Sequence, residues 1–339
     1  MKICVCGGGN LGHVTAGFLA ARKDCEVTVM TRRPERWSDT VEVTDSHGRL
    51  FAGRFTRVTA DAAEAVADAN IVILCLPGFA IAPELKKIKP WLRPGVPVGS
   101  IISNTGFFFE AMETLPESTT LFGFQRVPFI SRITEYGKSA ELKGYKSLLK
   151  LAVTGCDSEH AEELRALFER LFETPTELLD SFYEAALSNS NPLLHPSRLY
   201  TLWGSWRPGM TCDKVPGFYE GWTTEAAQLL IDMDLEFQAL LRHIGIKEGA
   251  VPSITDYYEV SDAATLTAKI RSIEAFRNIA APMKPASEPG RFVPDFSNRY
   301  FTEDFPYGLR FIIHTAAKNN FPVPVMKKVY DWGISCIGQ

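Results

Sequence analysis

Three short segments of this 339-residue chain combine residue types that can do chemistry. In Asn191-Pro192-Leu193-Leu194-His195-Pro196, an imidazole sits between prolines and suits proton exchange near neutrality. Taken alone, a structural histidine bonded to a loop carbonyl is the simpler reading. In Asn298-Arg299-Tyr300-Phe301-Thr302-Glu303-Asp304-Phe305-Pro306-Tyr307-Gly308, Arg299 can grip a planar carboxylate and Asp304 can accept from a cation. Each also has a plainer role, Arg299 as a surface cation and Asp304 as a helix N-cap. The third segment, Gly7-Gly8-Gly9-Asn10-Leu11-Gly12, has the spacing of a phosphate-cradling turn. Gly7 permits the turn, Gly9 lets the backbone approach a pyrophosphate, and Gly12 lets helix and strand pack closely.

These residues need elements to hold them. Met1–Cys6 reads as a buried strand, Val14, Phe18 and Leu19 as a helical stripe, and Glu26–Met30 as a second strand. That strand–turn–helix–strand context is the one a dinucleotide fingerprint requires. The second strand ends in Thr31-Arg32-Arg33, where an NAD site usually has an acidic residue for the ribose 2′-hydroxyl. A guanidinium suits a 2′-phosphate, so Thr31 and Arg32 favour NADP; as solvated loop charges the arginines would say nothing. Ile71–Leu76 is a continuous apolar strand stopping at Pro77-Gly78, where a ligand-facing loop belongs. Strands are also expected at 98–103, 120–124 and 148–154, and 51–58 is expected to form a hairpin with 41–46. A helix capped by Asp157 or Ser158 follows. Beyond 181 the pattern is mostly helical: 223–244, 262–278, 305–319 and 325–337, with 281–297 an ordered loop. The expected architecture is an α/β doubly wound parallel sheet, a Rossmann domain over 1–175, followed by an all-α domain over 176–339. His195 is expected on a rigid turn.

Composition narrows the function classes. A net charge of −4 argues against general nucleic-acid binding, and no apolar run is long enough to span a membrane. Met1 leads straight into the strand and glycine turn with no basic segment and apolar run, so the cytoplasm is the expected location. The seven cysteines are odd in number and scattered. Cys4 and Cys6 are expected on opposite faces of their strand, with no structural metal. A homodimer remains open.

With these segments in place, the chain resembles the NAD/NADP octopine/nopaline (opine) dehydrogenase family. The resemblance rests on Gly7–His13, Leu76-Pro77-Gly78, Phe122-Gly123-Phe124-Gln125, Asn191-Pro192-x-x-His195-Pro196 and Arg299-Tyr300-x-x-Glu303-Asp304-x-Pro306-Tyr307-Gly308. It implies a helical domain like the C-terminal domain of 6-phosphogluconate dehydrogenase. It also implies NAD(P)H-dependent reductive condensation of an amino acid with an α-keto acid. His195 would be the acid–base catalyst and Asp304 its orienting partner. Arg299 and Gln125 would hold the keto-acid carboxylate, and Asn191 would shape the pocket. Gly7, Gly9, Asn10, Leu11, Gly12, Thr31, Arg32, Leu76 and Pro77 would bind the cofactor. Tyr200, Trp203 and Trp206, with Arg198 and Arg207, either line the amino-acid pocket or pack between helices, and packing is the favoured reading. The alternatives are a ketone reductase like ketopantoate reductase or glycerol-3-phosphate dehydrogenase, with Lys138, Lys143 or Lys146 as acid, and a nucleotide sensor without catalysis.

Overall fold

The computed structural model describes residues 1–338 and divides into two compact units, Met1–Ser188 and Asn189–Gln339. The division falls later than 175/176. Thr176–Leu178 pairs with Leu149–Thr154, and the helix Phe182–Ala186 also belongs to the first unit.

The first unit is built on an eight-stranded sheet. Six of its strands are parallel, in the spatial order Arg57–Thr59, Glu26–Met30, Lys2–Cys6, Ile71–Leu74, Val98–Ser100, Leu121–Phe124. In chain order that is 3-2-1-4-5-6, the doubly wound dinucleotide-binding arrangement. Leu149–Thr154 adds on antiparallel, and Thr176–Leu178 runs parallel to it. Every residue of Ile71–Leu74 is buried, which fits a strand covered on both faces. The helix Ser158–Phe172 seals one side, with Phe168 tilted against Phe122 at 4.7 Å and stacked on Phe172 at 5.9 Å. Each such buried ring is worth about 1.5–3 kcal/mol in area removed from water.

A second, four-stranded sheet takes the order Leu50–Phe51, Glu42–Asp45, Ser139–Tyr145, Phe129–Glu135. It corrects one expectation and adds one element. Residues 42–45 pair with 50–51 on one side and with Ser139–Tyr145 on the other, while 57–59 joins the main sheet. The hairpin Phe129–Glu135/Ser139–Tyr145 had no expectation at all. Cys4 and Cys6 also share a face, as residues two apart on a strand must, with their sulfurs 3.6 Å apart.

The second unit is helical, with one two-stranded ribbon, Met283–Pro285 and Phe292–Pro294, inside the expected loop. Its longest helix, Thr224–His243, starts where the Thr223 side chain accepts from the Ala226 N–H. Among the described residues no helix is long and apolar enough to cross a membrane, and no group of three metal-ligating side chains occurs.

Candidate functional site

In the first unit the glycine turn is closed by contact. Gly7 has φ +133°, and a Cβ there would lie 2.4 Å from the Cys75 carbonyl oxygen. A Cβ on Gly12 would lie 1.9 Å from the Gly7 carbonyl oxygen, so only hydrogen lets helix meet turn. Gly9 is the opposite case: a Cβ there would meet nothing within 4 Å. Gly9 is also the N-cap of the helix Asn10–Ala20, with no side-chain cap, so the helix's first N–H groups remain available to an anion. This backbone fits a dinucleotide pyrophosphate.

His13 fixes the turn from behind. Its Nδ1–H donates to the Gly9 carbonyl at 3.0 Å, and its Nε2 accepts from the Gly137 N–H at 2.8 Å. Because Gly137 N–H can only donate, the ring is neutral with its proton on Nδ1. Burial pulls its pKa down accordingly. Asn10 Oδ1 accepts from the Ile133 N–H at 2.8 Å, so its carbonyl ties turn to hairpin. Two recesses flank the turn. One of about 500 Å³ is lined by Gly7, Gly9, Thr31, Arg32, Arg33, Leu76, Pro77 and Lys87, among others. Thr31 is buried, while Arg32 and Arg33 are exposed. The other, of about 440 Å³, includes Gly9, Asn10, Leu11, Leu76 and Pro77. Gln125 lines neither; its side-chain amide donates to the Glu184 carbonyl at 3.0 Å.

In the second unit His195 lies within the helix Asn191–Trp203, not on a turn. Pro192 starts that helix, where its missing N–H costs nothing, and Pro196 removes one bond from its first turns. Asp304 precedes a single π-helical turn, Phe305–Leu309, and its side chain caps nothing. Instead its Oδ2 accepts from His195 Nδ1 at 2.7 Å, across 109 residues of sequence. A Cβ on Gly308 would lie 2.6 Å from the Pro192 ring, so the two motifs pack directly against each other. Such π turns recur at functional sites.

The other imidazole nitrogen is also engaged. His195 Nε2 lies 2.7 Å from the Tyr219 hydroxyl. A carboxylate can only accept, so Nδ1 carries a proton; in the neutral ring Nε2 then accepts from Tyr219. Burial first, then Tyr300, holds the Tyr219 phenol well above its ordinary pKa, so it keeps its proton. The His195 ring is wedged by Tyr300 at 4.4 Å and Phe218 at 5.8 Å. Arg198, one turn beyond His195, is buried. Its Nε donates to the Phe218 carbonyl at 3.0 Å and its Nη2 to the Gly221 carbonyl at 2.6 Å, clamping the loop that carries Tyr219. Burial, aided by Arg271, brings its pKa down to about 10.

His195, Tyr219, Asn191, Arg299 and Tyr300 line one cavity of about 580 Å³ together with Tyr257, Tyr258 and Phe276. Arg299 is 74% exposed, with Glu303 at 3.8 Å. Trp203 is buried and stacks on Phe301 at 6.2 Å, and none of Tyr200, Trp203, Trp206 or Arg207 lines the cavity. Lys138 and Lys143 are exposed in the first unit and paired with Glu135 and Glu141 of their own hairpin. Tyr219 escaped the sequence reading; its one signal was an aromatic pair bracketed by glycines, Gly217-Phe218-Tyr219-Glu220-Gly221.

A doubly wound dinucleotide fold joined to a helical unit with a buried histidine–carboxylate pair defines the class of NAD(P)-dependent dehydrogenases. Residues 178–336 match the family model for the alpha-helical domain of NAD/NADP octopine/nopaline dehydrogenase, and residues 3–113 match that of ketopantoate reductase PanE/ApbA. The chain is 28% identical to a tauropine dehydrogenase of Arabella iricolor over 99% of its length and 91% of the relative's. It is 28% identical to an octopine dehydrogenase of Mizuhopecten yessoensis, covering 100% of this chain and 90% of that one. A solved octopine dehydrogenase with NADH and L-arginine superposes with a TM-score of 0.84 at 27% identity, over 100% of this chain and 90% of that one. The chain thus carries the alpha-helical domain of NAD/NADP octopine/nopaline dehydrogenase over residues 178–336 and is an NAD(P)-dependent oxidoreductase acting on CH–NH bonds.

Proposed function

We propose that this enzyme joins the amine of an amino acid to an α-keto acid such as pyruvate, with NADPH as the preferred reductant. The bound cofactor supplies the hydride; the protein supplies binding, orientation and proton handling. The observation that carries the reading is the His195–Asp304 bond at 2.7 Å in a cavity that also presents Arg299. Asp304 fixes the imidazole's orientation and stabilises its charged form. Arg299, exposed at the cavity's edge, anchors the keto-acid carboxylate. Asn191 shapes the pocket, and Gln125 contributes to the keto acid.

On the cofactor side, Gly7, Gly9, Asn10, Leu11 and Gly12 carry the pyrophosphate, with Leu76 and Pro77 beside it. Thr31 and Arg32 take the 2′-phosphate, supported by Arg33 and Lys87 in the same recess. The first unit is thus the dinucleotide domain and the second the substrate domain. A cytoplasmic location and a homodimer belong to this reading. The test is NADPH oxidation with pyruvate against a panel of amino acids, followed by mass analysis. A product with the mass of the secondary amine is expected; plain reduction of the keto acid with no amine incorporated would favour the ketone-reductase alternative.

A further inference from the structure

Neither nitrogen of His195 is free. Asp304 holds Nδ1 and the Tyr219 hydroxyl holds Nε2, both at 2.7 Å, and the ring is wedged between Tyr300 and Phe218. An imidazole so placed cannot present a nitrogen to substrate without breaking a bond and displacing an aromatic neighbour. Tyr219 is as buried as His195, but a hydroxyl that donates to Nε2 keeps lone pairs that can accept from a second partner. Its ring is stacked on Phe276 at 4.1 Å, its loop is clamped by Arg198, and it lines the same cavity as Arg299.

We propose that the Tyr219 hydroxyl is the atom that exchanges protons with the substrate, with His195 as the proton reservoir behind it and Asp304 as the reservoir's counter-charge. The proposal rests on the condensation reading above. In the resting state Asp304 is ionised, His195 is neutral and Tyr219 donates to Nε2. A substrate ammonium gives a proton to the Tyr219 oxygen as the Tyr219 proton passes to Nε2. The freed amine attacks the keto carbon and its N–H proton moves to the carbonyl oxygen, giving a carbinolamine. Tyr219 then donates to the carbinolamine hydroxyl while Nε2–H reprotonates Tyr219. The C–O bond breaks, water leaves, the nitrogen lone pair closes the C=N bond, and the iminium forms. The proton taken from the ammonium leaves in the water, so the relay returns to its starting state before hydride arrives. The raised Tyr219 pKa suits this role, because a phenol that holds its proton relays it without resting as a phenolate.

The test is a double-mutant cycle on Tyr219→Phe and His195→Asn. It uses NADPH oxidation with pyruvate and the most active amine, alongside NADPH affinity and thermal midpoint. Tyr219→Phe removes one oxygen and keeps the ring stack. Its kcat is expected to fall on the order of 10³-fold with NADPH affinity within about twofold of wild type. Adding His195→Asn to Tyr219→Phe should then cost almost nothing further, because a relay cut at its end gains nothing from its reservoir. A Tyr219→Phe enzyme within about fivefold of wild type would assign the exchange to His195 and overturn the proposal. So would a full additional loss from His195→Asn in that background, which is the mark of a merely structural tyrosine. A wild-type chain inactive on every amine–keto-acid pair overturns the condensation reading and this proposal with it. An active wild type with a tolerant Tyr219→Phe overturns this proposal alone.

Discussion

The glycine turn and the histidine cluster solve the same problem, placing polar groups against a ligand, by opposite means. At the turn the groups are main-chain N–H donors at a helix start, and side chains are excluded: a Cβ on Gly7 or Gly12 would collide with backbone oxygen. At the cluster the groups are side chains from positions 195, 219 and 304, drawn together by the helix Asn191–Trp203, the Arg198-clamped loop and a π turn. The one depends on what is missing, the other on ionisable groups that are buried and mutually satisfied. A backbone site should therefore break by steric intrusion and ignore pH. A side-chain site should break by loss of one atom and follow pH.

The largest effect is expected from Asp304→Asn. The amide can no longer hold the Nδ1–H tautomer or balance an imidazolium, so kcat should fall on the order of 10³-fold. NADPH affinity, measured by fluorescence titration, should stay unchanged. A parallel loss of cofactor affinity would erase the distinction between the two regions. The complementary intrusion is Gly12→Ala, whose methyl would sit 1.9 Å from the Gly7 carbonyl oxygen. Turn and helix must separate, and NADPH affinity should drop on the order of 10²-fold, about 2.7 kcal/mol. Titration of Gly12→Ala with wild-type affinity would mean the turn does not bind the pyrophosphate as drawn.

The same contrast explains what was legible in the sequence. Glycine spacing is a local constraint, so the turn, its flanking strands and the Arg32 position could be read from contiguous residues. The doubly wound parallel sheet, though not its strand order, followed from the alternation of strand and helix. The His195 helix could not be read, because prolines on both sides of the histidine resemble a turn unless one knows that Pro192 lies in the first turn of a helix. From its own segment Asp304 read as a cap, and only the family resemblance paired it with His195, because that partner is 109 residues away. Tyr219 was invisible for the same reason: nothing local marks a phenol whose meaning comes from an imidazole on another element. The hairpin Phe129–Glu135/Ser139–Tyr145 was missed because its alternation is mixed and partly exposed, and it is held to the turn by His13 and Asn10.

A smaller effect separates the cofactors. Arg32→Ala should raise the KM for NADPH about tenfold and that for NADH barely at all, since only the former carries a 2′-phosphate. The recess keeps Arg33 and Lys87, which limits the loss, and burial raises the pKa of Glu84 on the same wall, weakening its opposition to an anion. Equal changes in both KM values would return Arg32 to the role of a solvated charge.

The last effect leaves turnover and cofactor affinity alone and concerns pH and stability in the second unit. Asp234 is buried in the helix Thr224–His243, and its Oδ2 accepts from the Ile254 N–H at 2.9 Å. Burial raises its pKa from 3.8 to about 6; the Asp256 charge adds to the rise, while the Ile254 and Gln238 bonds oppose it. The folded chain therefore holds this proton where the unfolded chain has released it. Below about pH 4 both forms are protonated and the contribution is fully present; it is lost as pH rises from about 4 through about 6, and stays lost above. The full span is on the order of 3 kcal/mol. Carboxylates whose pKa is lowered in the fold, such as Asp157 and Glu169, slope the other way, so the readout is a difference between variants. Asp234→Asn keeps a carbonyl oxygen for Ile254 and cannot ionise. Its urea-unfolding free energy should gain on wild type as pH rises from 4.5 to 7, while NADPH affinity shows no such divergence. Parallel stability curves for the two proteins would mean that Asp234 titrates as an ordinary carboxylate, and that buried charge in this unit is confined to the His195 cluster and Arg198.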